Sequence, residues 1–384
     1  MTVERTSDTR MIHVIEGGLV YRNPKPYLTS RHAWHPSVVQ LPGGQLLASF
    51  DLAEAVESLD YATFISRSRD GGDTWSSPER LSFHPWLERV EGPNGCPCSH
   101  SVRISRLRDG SIVGLGGRWH RKDTSEGIIN RNNLGYVPMD LFLIHSQTSG
   151  WTWTAPRRID PPLVGPSFEI CHRIIELTDG RWLAPTSTWK GWDGSAPNGM
   201  QAIALVSHDR GVTWPDYIPI SNEYQRGVIT WEVGLAELAG GKLAATLWRF
   251  DERQEVSLSS RFTVAEDGQR FIPPVDNGLQ GETSKLTALA DGRVLCLYRR
   301  LDRPGLWAEL ARIEGPRWIR ECEAAVWQGP KSGLLGRTNS SDELSSLKFG
   351  YPSAIQLPDG DVLALFWCVE DSLHVIRWMR LRID

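Results

Sequence analysis

The chain has 384 residues and a formal net charge of −4. That is enough for a sizeable core, and a balance so near neutral argues against nucleic acid or an anionic membrane as the main partner. No apolar run approaches the roughly 18 residues of a membrane-spanning helix, the opening MTVERTSDTRMIHVIEGG lacks the apolar stretch of a secretory signal, and the six cysteines are scattered in neither a zinc nor a CxxC pattern; the expectation is a reduced, cytoplasmic protein.

Residues 1–10 are polar, and Ile12 to Tyr21 reads as one strand or a short hairpin. From His35 to Phe50 the sequence HPSVVQLPGGQLLASF places a two-glycine turn between two apolar runs, a hairpin signal. The phrase returns at Ser101, Cys171, Glu232, Thr283 and Tyr351, with turn glycines Gly44, Gly110, Gly180, Gly241, Gly292 and Gly360. A spacing of about 50 to 70 residues suits a four-stranded propeller blade with variable loops. Length alone suggests two or three domains, but six copies imply one unit over 1–384: an all-β, six-bladed β-propeller, in preference to a β-sandwich with coincidental glycine turns. The last copy has only three strands before the chain ends. A closed ring tolerates no bare edge, so the N-terminal strand is predicted to complete the last blade.

Three hairpins run into a second motif: Ser68 to Trp75 and Ser207 to Trp214 follow S-x-D-x-G-x-T-W, the Asp-box, and Ser146 to Trp153 has Thr148 in place of Asp. The Asp accepts turn N–H groups, the Gly permits positive φ and the Trp packs beneath. These carboxylates are therefore read as structural, on the face away from any ligand. Longer loops at 51–60, 85–99, 118–138 and 189–199 are the functional candidates, above all Arg118 to Pro138. No helix of any length is predicted; the stretch 331–348 holds at most a turn. Cys296 and Cys368 fall inside strand patterns and read as core.

Counting nine residues back from each turn glycine gives a ring at the axis: His35, Ser101, Cys171, Glu232, Thr283 and Tyr351. Two residues on, facing the same way, come Ser37, Arg103, Arg173, Gly234, Lys285 and Ser353. So many polar groups would be costly to bury unpaired, which implies a hydrated or ligand-filled channel mouth unless they satisfy one another. Glu232 beside Tyr351 suggests a phenol with its own base. Arg249, eight residues after Gly241, is expected at the same mouth, forming with Arg103 and Arg173 a clamp for a carboxylate. Asp51 and Asp60, flanking the first long loop, are the general-acid candidates. His35, His100 and His172 lie nearby in different columns of the repeat, so no metal site is expected, and His35 is the best base among them. No cofactor is implied. Trp34 and Trp119 are placed to stack on a sugar ring.

The hairpins, the Asp-boxes and the axial Glu232/Tyr351 pair together resemble the sialidase (neuraminidase) superfamily of BNR-repeat proteins over nearly the whole chain. The last third is similar to its bacterial branch in LADGRVLCLYRR and FGYPSAIQLPDGDVLALFW. The resemblance implies a Tyr351 nucleophile with Glu232 as partner, an Asp acid/base, and a three-Arg clamp that includes Arg249, with Arg299 or Arg300 as the third. Sialidases open blade 1 on Arg-Ile-Pro where this chain has Trp34-His35-Pro36, with Arg31 out of register, so a substrate other than sialic acid is implied. The leading expectation is a hydrolase of an acidic glycoside, with Tyr351, Glu232 and Asp60 carrying the chemistry. The alternatives are a polysaccharide lyase using His35 or Tyr351 as base and a non-catalytic carbohydrate-binding propeller.

Overall fold

In the computed structural model, residues 11–81, 84–88, 98–300, 302–303, 305–329 and 349–384 are described. They form six antiparallel sheets. Five follow chain order from the axis outward, beginning at His32–Gln40, Ser99–Arg106, Ser167–Phe168, Val228–Glu237 and Gly281–Ala288. The sixth runs Phe349–Gln356, Val362–Glu370, Leu373–Ile383 and then Ile12–Tyr21, with Ile12 opposite Ile383 and Tyr21 opposite Ile376. The N-terminal strand thus closes the last blade, as predicted. The innermost strand of blade 1 packs against those of blades 2 and 6, which closes the ring.

The six turns repeat one geometry. In each, a leucine (Leu41, Leu107, Leu177, Leu238, Leu289, Leu357) accepts the N–H of the glycine three residues on, and its own N–H donates to the carbonyl four residues on at 2.7–2.8 Å. All six glycines have φ between 77° and 94°. At Gly44 a Cβ would meet nothing within 4 Å, so the glycine is required there for its backbone angle, not for space.

Second strands such as Leu46–Ala53 and Ile112–Trp119 are buried along their whole length, because neighbouring blades cover both faces. Leu47 and Ile65 of blade 1, for example, meet Val102, Ile104 and Ile144 of blade 2. Cys296 and Cys368 are buried in the same way. The outer strands of blades 1, 2 and 4 are two residues long, Glu79–Arg80, Arg157–Arg158 and Val275–Asp276, which blunts those edges.

The Ser68 and Ser207 turns are built as read. Asp70 accepts the N–H of Thr74 and the Ser68 hydroxyl, and Trp75 Nε1 donates to Gly72 O at 2.8 Å. Asp209 repeats this with Thr213 and Ser207. In blade 2 the Thr148 hydroxyl takes the N–H of Thr152 at 2.8 Å. These turns share a face with the hairpin glycines, since Arg210 of one blade pairs with Asp109 in the hairpin turn of another. Hydrogen bonds from Thr74 and Thr213 hold the Asp70 and Asp209 carboxyls at about 2. A single helical turn, Pro85–Glu88, lies in the loop 85–99. The 331–348 stretch and Cys96 fall outside the described residues.

Candidate active site

Four of the six ring residues carry a left-handed backbone: His35 (φ 49°), Glu232 (43°), Thr283 (50°) and Tyr351 (50°). At each the pairing with the second strand slips, between Trp34 and Ser37, Trp231 and Gly234, Glu282 and Lys285, and Gly350 and Ser353. These are bulges. They kink the innermost strand and re-aim one side chain, at a cost of order 1–3 kcal/mol each for a non-glycine residue. Blade 2 has no bulge: Ser101 pairs in regular register with Gly117. In blade 3 the strand breaks instead. Ser167–Phe168 and Ile175–Glu176 pair with Trp182–Trp189 on either side of a gap, and Pro185, which has no N–H to donate, lies in that stretch of the partner strand. Glu169 stands at the start of this gap, tied to the partner strand by its N–H on Ser187 O at 3.1 Å and by its carbonyl on the Thr186 hydroxyl at 2.6 Å.

His35, Ser101, Glu232 and Tyr351 line a cavity of about 140 Å³ at one end of the axis, and Thr283 with Trp34 lines a smaller one of about 40 Å³ beside it. Below them a channel of about 510 Å³ is lined by Cys171 and by the second ring's Ser37, Arg103, Arg173, Lys285 and Ser353. The polar positions inferred at the axis are therefore the ones that meet there.

Asp51 is the hub of the upper site. It is fully buried and takes hydrogen bonds from Tyr61 (2.9 Å), Thr63 (2.7 Å), Ser101 (2.7 Å) and Arg103 (3.1 Å). Burial alone would raise its carboxyl; Arg103, His35 and Ser101 overcome that and hold it at about 2. With the Tyr61 hydrogen committed to Asp51, the 2.6 Å contact from His35 Nδ1 to Tyr61 Oη assigns a proton to Nδ1. Burial lowers the His35 imidazole, so it is neutral.

Tyr351 Oη donates to the Ile170 carbonyl at 2.7 Å and accepts from Arg103 Nε at 3.4 Å. Its ring lies 5.0 Å from both the Arg103 guanidinium and the Lys285 ammonium, and 4.9 Å from the His35 ring. Burial pushes the phenol well above its ordinary range. The expected hydrogen bond between Tyr351 and Glu232 is not formed. Glu232 partners Glu169 instead, its backbone N–H donating to Glu169 Oε2 at 2.8 Å, and its Oε2 stands 3.7 Å from Lys285 Nζ. Glu169 is buried beside that second carboxylate, and both effects raise it to about 7.

The other expected residues divide by strand parity. Trp248 and Arg299 line the cavities, whereas Arg249 and Arg300, one residue on, face the other way. Arg249 is forked onto Glu223 (2.6 and 3.1 Å), and Arg300 onto Asp302 (2.5 Å) and Glu323 (2.6 Å). Arg173 and His172 belong to the lower channel. Asp60 is exposed and binds its own loop, accepting from Ser58 and from the Glu54 N–H. Trp34 is buried against Tyr61 and His374, while Trp119 does line the upper cavity.

Sequence reasoning passed over Glu57, Glu169 and most of the aromatic wall. Glu57 lies in the flagged loop 51–60; its Oε2 accepts the N–H of Ile128 at 2.7 Å and burial raises it to about 7. The 118–138 loop supplies Ile128, Ile129 and Tyr136 to the lining. Tyr136 stacks on Trp189, and Trp189 lies parallel to Trp231 at 5.2 Å and 8°. Among the described residues, Glu232 Oε2 and the indole nitrogens of Trp119 and Trp231 are buried without a hydrogen bond.

Ring, mouth and closing strand define a six-bladed propeller of the sialidase-like kind. No family model matches the chain, and no curated protein matches it in sequence. Among solved structures it is similar to a protein of unknown function from Dyadobacter fermentans, at 20% identity and TM-score 0.74 over 97% of this chain and 100% of that one. It is also similar to the Hadza microbial sialidase Hz136, at 16% and 0.68 over 94% and 68%. A third is the Penicillium chrysogenum α-L-arabinanase complexed with arabinobiose, at 14% and 0.62 over 96% and 98%.

Proposed function

We propose that the protein is a glycoside hydrolase acting on a neutral sugar by a two-carboxylate mechanism, with Glu169 as proton donor and Glu232 as its partner. The observation that carries this is the Glu169/Glu232 pair at an aromatic-walled cavity, one carboxyl raised to about 7 and the other with an unbonded buried oxygen. Two carboxyls held in different environments are the means by which glycosidases divide acid from nucleophile or base. Glu169 delivers its proton to the departing glycosidic oxygen as the bond to the anomeric carbon breaks, Glu232 supplies negative charge to the oxocarbenium-like centre, and a water then bonds to that carbon and gives up a proton that restores Glu169. Native structures leave few buried polar atoms unsatisfied; an acceptor on Glu232 and donors on Trp119 and Trp231 suit a hydroxyl-rich ring stacked on indole faces.

Three features turn the reading away from an acidic sugar and a Tyr351 nucleophile. Arg103 is committed to Asp51, and Arg249 and Arg300 to carboxylates outside the cavities, which leaves no three-Arg clamp. Asp51, held at about 2, carries no proton to give near neutral pH. Among the described residues, no carboxylate base is in hydrogen-bond contact with Tyr351.

The test is cleavage of a panel of oligosaccharides of pentoses, hexoses and uronic acids, whose sugar leaving groups need a proton, by wild type, Glu169→Gln, Glu232→Gln and Tyr351→Phe. Loss of acid–base catalysis is worth about 10²–10⁴-fold, so both Gln variants should fall by that much, and wild-type activity should decline above pH about 7 as Glu169 loses its proton. Tyr351→Phe should keep most activity. Its complete inactivation, with Glu169→Gln unaffected, would return the chemistry to the phenol. An ultraviolet band from an unsaturated uronate product would establish a lyase.

A further inference from the structure

The lower channel holds a charge that no described residue balances. Its wall is built from the innermost strands of all six blades. Arg173 projects from the broken strand of blade 3 and spans the axis, donating from its two terminal nitrogens to the carbonyls of Val38 in blade 1 and Ala354 in blade 6, each at 3.2 Å. No described carboxylate lies within ion-pair distance of it. Three arginines buried near the axis differ: Arg103 faces Asp51 at 3.1 Å, Arg249 faces Glu223 at 2.6 Å and Arg299 faces Glu282 at 2.5 Å. Burial lowers the Arg173 guanidinium, with no opposing charge to restore it.

The neighbours do not supply the missing charge. His172 is held neutral, at about 3, by burial. Lys285 is a second cation and is turned toward Glu232. The acids at the lower rim are occupied at the turns, Glu176 accepting the N–H of Arg108 and Glu237 that of Thr178. Arg173 is partly buried, and a cation without a counter-charge in such a place favours an anion beside it. A guanidinium with free N–H groups matches the two oxygens of an oxyanion, and about 510 Å³ leaves room for one with its water.

We propose that the axial channel binds a small oxyanion on Arg173, of the phosphate, sulfate or carboxylate class, separate from the sugar cavity above. Bound there, it balances the guanidinium that ties blades 1, 3 and 6 together.

The experiment is a thermal melt of the full chain titrated with inorganic phosphate, sulfate or acetate, ionic strength held constant with chloride. Wild type should show a saturable rise in Tm of several degrees with at least one of the three. Arg173→Gln should lose that response or weaken it tenfold or more, and Arg173→Lys, which keeps the charge but not the fork, should fall between. A rise that never saturates, or one equal in wild type and Arg173→Gln, is the general action of excluded salts on any protein and overturns the site. Should Arg173→Gln not fold, the decision passes to crystals of the wild-type protein soaked in the same anion: density on Arg173 supports the proposal, and its absence at saturating anion overturns it.

Discussion

Blades 3 and 4 deliver the two carboxylates that line the upper cavity by different devices. Blade 4 keeps a continuous innermost strand and forces Glu232 into a left-handed bulge. Blade 3 gives up the regular strand between Phe168 and Ile175, and Glu169 stands at the start of that gap, its N–H still donating to Ser187 O at 3.1 Å. Each places an acid at the axis where regular alternation would bury it in the wall. The difference is where the cost lies, in backbone strain at one residue or in lost ladder hydrogen bonds over several. Blades 1, 5 and 6 use the bulge, and blade 2, with neither device, gives the short Ser101 side chain at the equivalent ring position and reaches the cavity through Arg103, Trp119 and its 118–138 loop. The ring residues His35, Glu232, Thr283 and Tyr351 are thus presented where the strand is irregular, in keeping with bulges beside active sites elsewhere.

Asp51 joins the two kinds of blade, since it sits opposite bulged Trp34 and binds unbulged Ser101. Asp51→Asn leaves Arg103 buried without its counter-charge and should cost about 3–5 kcal/mol, the largest stability effect foreseen here, read by urea melts of the tryptophan fluorescence. The pH dependence has a definite sign. The folded carboxyl, at about 2, lies below its unfolded value near 4, so its contribution is present above pH about 4 and is lost as the pH falls toward 2. The Asn variant should lack that acid slope. An unchanged slope would mean that Asp51 is not the joint.

Gly234 measures what the close approach at blade 4 requires. A Cβ there would stand 2.6 Å from Ser284 O and 2.6 Å from Thr246 Oγ1, so Gly234→Ala must push apart the innermost strands of blades 4 and 5. Overpacking of this kind costs about 1–3 kcal/mol and should also disturb Glu232 two residues away. Gly44→Ala meets no atoms and should cost only the left-handed backbone penalty, about 1–2 kcal/mol, with activity unaffected.

The lower face was legible because its chemistry is local. A leucine, a glycine in fixed register and an Asp or Thr four residues before a Thr state the turn within a few residues, and six repetitions state the fold. The axial rings were legible as well, since one count from each glycine reached His35, Ser101, Glu232 and Tyr351. What failed was facing. Arg249 and Arg300 were placed at the right height but on the wrong side of their strands, because a shift of one residue reverses a β side chain and neighbouring Trp248 and Arg299 hold the inner positions. Glu169 was out of reach for a different reason: the break in blade 3 comes from the partner strand, and a count along one strand assumes unbroken pairing. Glu57 and Tyr136 depend on loops docking across blades, for which local sequence carries little signal.

The finest contrast is between Thr283 and Ser101, equivalent positions with and without a bulge. Thr283 is β-branched at φ 50°, and its buried Oγ1 has no hydrogen bond among the described residues. Thr283→Gly should recover about 1–3 kcal/mol of strain against about 1 kcal/mol for the lost methyl and up to about 1 kcal/mol of added chain entropy, leaving stability within about 1 kcal/mol of wild type. Ser101→Gly relieves no strain. It removes one hydroxyl that donates to Asp51 at 2.7 Å and accepts from Arg103 at 2.7 Å, a loss of about 1.5–3 kcal/mol, and should be the costlier change by about 2 kcal/mol. Paired melts of the two variants decide it: equal losses would mean that the left-handed residues at the mouth are unstrained, and the account of how the irregular blades deliver their side chains would fall with them.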